Sequence, residues 1–129
     1  MKMNYFVFGT NNMQAAVKFY DRLFESLEMT KIHNEGRMTL WSGTDFMFAL
    51  AEPFDGKEAS IGNGTMVGFN LNSKNEVIHI YDKALNLGGK DEGQPGMRSG
   101  HFSAYVRDID NNKICLFNAD LNVEASINE

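Results

Sequence analysis

Two stretches of this chain lie over one another. With residue 5 placed on residue 66, Tyr5 meets Met66, Phe8 meets Phe69, Asn11 meets Asn72, Val17 meets Ile78, Tyr20 meets Tyr81 and Asp21 meets Asp82, a constant offset of 61. A period of that length is longer than a solenoid unit, which runs to about 50 residues. Each copy also carries its own full series of elements. The chain therefore reads as one domain made of two similar modules, and 129 residues suffice to bury a core without disulfide or metal staples.

The element signals are local and consistent. Asn12 to Leu27, "NMQAAVKFYDRLFESL", places Met13, Ala16, Val17, Tyr20, Leu23, Phe24 and Leu27 on one helical face. Before it "YFVFG" is aromatic and β-branched. After it come "MTKIHN", "RMTLWS" and "DFMFALA", separated by turns at Asn34-Glu35-Gly36 and Gly43-Thr44. The first half reads βαβββ. The second begins at "TMVGFNL" and enters a helix at Ser73, where Ser73 and Glu76 have capping-box spacing and Gly88-Gly89 supplies a left-handed exit. "GHFSAYVRD" and "NKICLFN" then read as an antiparallel pair around the turn "DIDNN", while "GGKDEGQPGMRSG" reads as a glycine-rich loop in place of a sixth strand. Module 1 covers about 1–52, a polar linker 53–64, module 2 about 65–118 and a tail 119–129. The tail "NADLNVEASINE" reads either as frayed or as an arm on a partner.

Composition excludes several classes. The net charge is −5 and the basic residues are scattered, so a nucleic-acid partner is not expected. No apolar run approaches the roughly 20 residues of a membrane helix, and the apolar run in "MKMNYFVFG" is too short for a secretory signal. A membrane partner is not expected and the expected location is cytoplasmic. A single cysteine, Cys115, and three histidines exclude a disulfide framework and a multi-cysteine zinc site.

Four segments, "GTNNMQAAVKFYDRLF", "PFDGKEASIGNGT", "ALNLGGKDEGQPGMR" and "AYVRDIDNNKI", together resemble the glyoxalase, bleomycin-resistance and extradiol-dioxygenase superfamily, the vicinal oxygen chelate fold, over nearly the whole chain. The resemblance implies an α+β fold. Two tandem βαβββ modules would form a half-open curled mixed sheet with helices outside and a ligand cavity between the concave faces. It also implies that metal-dependent members take one ligand from the first strand and one from the last strand of each module. Those positions hold Tyr5, Met66 and Cys115 here, the last in "DIDNNKIC", and the fourth falls near Phe48, within a residue or two.

A phenol, a thioether, a thiol and a phenyl ring are not the imidazole and carboxylate set that a catalytic divalent ion takes. No metal, no cofactor and no catalytic residue are assigned, although a site rebuilt from His33, Glu35 or His101 stays open. Period-two alternation turns Phe6, Phe8, Val67 and Phe69 under the helices, and Tyr5, Val7, Met66 and Gly68 into the cavity. Likewise His101, Ser103, Tyr105 and Arg107 share a face opposite Phe102, Ala104 and Val106. The expected ligand cavity is lined by Tyr5, Val7, Trp41, Phe48, Met66, Gly68, His101, Tyr105, Cys115 and Phe117, an apolar, aromatic surface suited to a flat or greasy small molecule. The expectation is a metal-independent small-molecule binding protein, homodimeric and similar in architecture to antibiotic-binding resistance proteins. The alternatives are a glyoxalase-like metal-dependent lyase or isomerase or a dioxygenase-related enzyme, and a ligand-free interaction protein with a filled cavity.

Overall fold

A computed structural model describes residues 1–119; the expected tail lies outside them beyond Ala119. The element order is β1 (Tyr5–Gly9), α1 (Met13–Leu23), β2 (Thr30–Glu35), β3 (Met38–Ser42), β4 (Met47–Ala51), β5 (Val67–Asn70), α2 (Lys74–Asn86), β6 (Lys90–Arg98), β7 (His101–Arg107) and β8 (Lys113–Asn118). Two βαβββ modules form two four-stranded mixed sheets, ordered β1-β4-β3-β2 and β5-β8-β7-β6. In each the first strand runs parallel to the last, and the other pairings are antiparallel. No helix among the described residues is long and apolar enough to cross a membrane.

The repeat is visible in the helix starts. Asn12 caps α1 by accepting from the Ala15 N–H, and Ser73, 61 residues on, caps α2 by accepting from the Glu76 N–H. The Glu76 carboxylate reaches back to the Asn72 N–H, one residue before the cap. Both bonds satisfy donors that a helix N-terminus leaves unpaired. α2 ends as the glycine pair predicts: Gly88 takes φ +101° and the Gly89 N–H donates to the Ala84 carbonyl. α1 stops at Leu23, shorter than the periodicity to Leu27 predicts. Phe24 and Leu27 instead belong to turns after the helix, with the Leu27 N–H donating to the Phe24 carbonyl.

The glycine-rich segment after α2 is a strand rather than a loop. β6 pairs with β7 from Lys90 to Arg98 through two register irregularities, and it lies at the sheet edge, where Pro95 and its missing N–H are tolerated. Gly93 is required there, because a Cβ would stand 2.9 Å from Cδ2 of Tyr105.

Each helix covers one face of its own sheet, and the covered faces join in one core. Phe8, Tyr20, Phe24, Trp41 and Phe48 of module 1 and Val77, Ile80, Val106, Ile114 and Leu116 of module 2 are all buried in it. Aromatic contacts bridge the modules: Phe69 of β5 meets Phe24 at 5.8 Å, Phe48 at 5.7 Å and Phe46 at 6.2 Å between ring centroids. With the covered faces joined, the opposite faces point away from each other. Among the described residues the groove of interest opens between β1 and β5 rather than between the outer faces of the two sheets.

Candidate functional site

The two modules meet along two seams that the repeat makes equivalent, and side chains close only one. At the first, the end of β1 meets the turn between β7 and β8. The Asp108 carboxylate there accepts from the Tyr20 hydroxyl (2.5 Å), the Asn112 amide (3.1 Å) and the Asp110 and Asn112 backbone N–H groups (both 2.9 Å). The Asn112 amide also donates to the Gly9 carbonyl, and the Thr10 hydroxyl to Asp110. Burial raises the Asp108 pKa above its ordinary value against the lowering effect of these donors. Burial, then the nearby Asp108 charge, holds the Tyr20 phenol well above its usual range. Among the described residues no buried side-chain polar atom lacks a partner.

At the second seam the end of β5 faces the turn between β3 and β4. Tyr81, the repeat counterpart of Tyr20, donates to Asp91 of its own module, and the turn has no counterpart of Asp108. Gly43 stands there with the Phe46 ring folded across it, so close that a Cβ on Gly43 would lie 2.5 Å from the ring. Without a polar closure this seam opens as a groove of about 920 Å³. The groove runs between edge strands β1 and β5 and is walled by Phe24 to Met29 after α1. Phe24, Phe46, Phe48 and Phe69 form its aromatic floor, Leu27, Met29 and Met66 its sides, and Asn4, Asn70 and Asn72 part of its polar rim. The volume and lining fall in the range of small-molecule sites.

Of the residues expected to line a cavity, the groove brings together Tyr5, Phe48, Met66 and Gly68. Tyr5 and Met66 are 59% and 44% exposed at its two lips. Val7 points outward from β1 and is exposed. Trp41 and Phe48 were expected on the cavity face of their strands, but the register sets both beside Phe6 on the helix-covered face. Phe48 reaches the groove from below. Trp41 is fully buried, with its indole N–H on Asp21 at 3.0 Å. Tyr105, Cys115 and Phe117 lie on the outer face of module 2, and His101 is exposed at the start of β7. The Tyr105 ring lies between the Arg98 and Lys113 cations at 5.3 and 5.2 Å. Burial pushes the Cys115 thiol up, which leaves it a weak nucleophile. The room made by Gly68 is taken by Phe117, whose Cε1 would lie 3.3 Å from a Cβ there.

Sequence reading did not assign Phe24, Phe46 and Phe69 to a site. It sent Phe24 and Phe69 to the core by periodicity, which is right for each residue alone, because the groove floor is the exposed edge of that core. Phe46 gave no such signal from its place next to a turn.

The register also fixes the fourth position of the family's ligand pattern. Val7 pairs with Ala49 as Gly68 pairs with Cys115, so the module 1 counterpart of Cys115 is Ala49, one residue from Phe48. Tyr5, Ala49, Met66 and Cys115 offer a phenol, a methyl group, a thioether and a thiol with a raised pKa. That donor set does not fit a catalytic divalent ion. His33 and Glu35 do not rebuild one: both are exposed on β2, with the His33 ring against the Glu35 carbonyl at 3.2 Å. Among the described residues no three His, Cys, Asp or Glu side chains gather as a metal site requires.

Residues 2–116 match the family model of the Glyoxalase/Bleomycin resistance protein/Dioxygenase superfamily. No curated protein matches the chain significantly. Among solved structures, a glyoxalase/bleomycin resistance protein from Albidiferax ferrireducens T118 is similar at 28% identity and TM-score 0.83, over 91% of this chain and 98% of that one. A glyoxalase-related enzyme from Fulvimarina pelagi is similar at 16% identity and TM-score 0.78, over 92% and 88%. Lactoylglutathione lyase from Agrobacterium tumefaciens is similar at 17% identity and TM-score 0.73, over 94% and 96%. The last two likenesses concern the fold alone.

Proposed function

The chain belongs to the glyoxalase/bleomycin resistance protein/dioxygenase superfamily, and on that premise we propose that it is a metal-independent protein that binds small molecules in the groove between β1 and β5. One observation carries the reading. The seam that could have been closed by polar side chains is instead floored by four phenylalanines and left open at about 920 Å³. A flat apolar ligand displaces water from the half-buried rings of Phe46 and Phe69 and stacks on them, over the buried Phe24 and Phe48, gaining roughly 25 cal/mol per Å² of apolar surface it covers. The asparagines at the rim orient its polar end. The ligand needs no Lewis acid, which agrees with the donor set at the four family positions.

The test is calorimetric titration with a panel of flat aromatic metabolites and antibiotics, on the wild type and on Phe46→Ala. Saturable binding that Phe46→Ala weakens at least about tenfold supports the reading. Binding unaffected by Phe46→Ala, or none across the panel, overturns it, and the second result favours the ligand-free interaction protein. The lyase or isomerase reading has one point in its favour, the likeness to a lactoylglutathione lyase fold. It requires a stoichiometric divalent ion in the purified protein, which elemental analysis measures directly. A homodimer is proposed with the binding function: Tyr5, Val7 and Ile32 are exposed apolar side chains in module 1, and sedimentation shows whether a second copy covers them.

A further inference from the structure

The lining of the groove carries charge of one sign only. Glu28, after α1, and Glu76, in the first turn of α2, are its charged side chains, and among the described residues no lysine, arginine or histidine lines it, although the chain has 12 lysines and arginines. Lysines close by in sequence are engaged elsewhere. Lys74, two residues past Asn72 at the rim, has its ammonium over the Phe102 ring at 5.8 Å, in a separate and smaller hollow. Lys31 pairs with Asp21 at 2.7 Å and Lys83 with Glu25 at 3.7 Å. Glu28 and Glu76 enter no ion pair among the described residues. Glu76 is half-buried, and its carboxylate accepts from the Asn72 N–H at 3.0 Å, which holds one negative charge in place at the rim.

The apolar part of the lining also suits positive charge. Phe46 and Phe69, the half-buried rings of the floor, have centroids 6.2 Å apart and planes inclined at 44°. The face of such a ring is electronegative and attracts a cation within about 6 Å of its centroid, most strongly where water is excluded. Four of the chain's eight methionines, Met3, Met29, Met47 and Met66, line the same groove. Their thioethers are polarisable and accept without donating. A bound anion would meet two carboxylates and no charged donor.

We propose that the groove selects organic cations: an aromatic body that rests on Phe46 and Phe69 and carries an ammonium or quaternary ammonium group, favoured by the carboxylates of Glu28 and Glu76. This rests on the reading of the groove as a small-molecule site and adds the charge of the guest, which that reading leaves open. Attraction between exposed charges is weakened by water and salt. The rings therefore supply most of the affinity, and the two carboxylates act on which guest is admitted.

Calorimetric titration of the full chain with three probes that share one aromatic body tests this: naphthylmethyl-trimethylammonium, naphthylmethanol and naphthylacetate. The cation is expected to bind at least about tenfold more tightly than the alcohol, and the acetate more weakly than either. Glu28→Gln combined with Glu76→Gln, which keeps an acceptor for the α2 cap, is expected to cut the preference for the cation at least about threefold. An unchanged affinity for the alcohol shows that this variant is folded. Alcohol that binds as tightly as the cation, acetate that binds more tightly, or a preference untouched by the paired substitutions overturns the proposal and leaves the groove reading standing. Cation binding that Phe46→Ala does not weaken overturns it by placing the cation elsewhere, and cation binding that weakens as protein concentration rises overturns it by giving the groove to a second copy. Absence of binding by all three probes overturns it as well, and overturns the groove reading only if the wider aromatic panel also fails to bind.

Discussion

Replacing Tyr20 by Phe removes one oxygen from the closed seam and leaves the ring. Tyr20 is fully buried, and its hydroxyl donates to Asp108 Oδ2 at 2.5 Å. Without it Oδ2 keeps only the Asn112 amide, at 3.1 Å. A hydrogen bond to a charged group contributes about 1.5–3 kcal/mol and one to a neutral group about 0.5–1.5 kcal/mol. The expected cost is therefore about 2 kcal/mol where Asp108 is ionised and about 1 kcal/mol where it is protonated. Burial holds the folded pKa of Asp108 above its unfolded value. The folded state thus binds the proton more tightly, and the contribution of this group to stability is greatest below the unfolded pKa. It declines as pH rises through the folded pKa. Tyr20→Phe takes away a donor that favours the charged form, so the variant loses more over that interval than the wild type does. Urea unfolding followed by Trp41 fluorescence at about pH 4 and pH 7 measures both gaps, and at neutral pH the thermal midpoint falls by roughly 6–10 °C. A gap below about 0.5 kcal/mol at neutral pH, or one equal at the two pH values, refutes the assignment of Asp108 as an ionised, donor-held closure.

Asp21→Ala breaks the bond that holds the Trp41 indole and the Lys31 ion pair at 2.7 Å; it costs about 1–2 kcal/mol and shifts the emission of the chain's only tryptophan, with no shift refuting the bond. Phe69→Ala removes the ring shared by Phe24, Phe46 and Phe48, lowering stability by about 3 kcal/mol in chemical denaturation and weakening any groove ligand by calorimetry. Gly9→Val drives a side chain into Ala59; loss of exchange protection at the Ala59 N–H, with β1 amides still protected, is the expected outcome. Met66→His creates no tight zinc or nickel site, since Tyr5, Ala49 and Cys115 keep the donor set unsuited; metal titration checks this.

The modular fold was legible because it rests on repeated local signals: the Asn12 and Ser73 caps, the Gly88 exit and alternation in β1, β5 and β7 each act over a few residues. β6 was hidden by Gly93, Pro95 and Gly96, residues that depress strand propensity yet are accepted at a bulged edge. The site was less legible, for two reasons. A single offset of 61 aligns β1 with β5 but loses β4 and β8, whose offset is 66. That loss left the fourth ligand position near Phe48, within a residue or two, where the strand register gives Ala49. Strand parity also tells which face a residue takes but not which faces meet. Tyr5 and Met66 stand at the two lips of the groove, whereas Tyr105 and Cys115, grouped with them by parity, are not among the residues that line it.

The unequal seams have a mechanical consequence. Hydrogen bonds are directional and apolar contacts are not, so the border held by Tyr20, Asp108 and Asn112 fixes the register of the two modules, whereas the border where Phe69 meets Phe24, Phe46 and Phe48 fixes little more than their separation. The phenylalanine border is thus the one where a change of side chain can alter spacing without breaking a hydrogen bond.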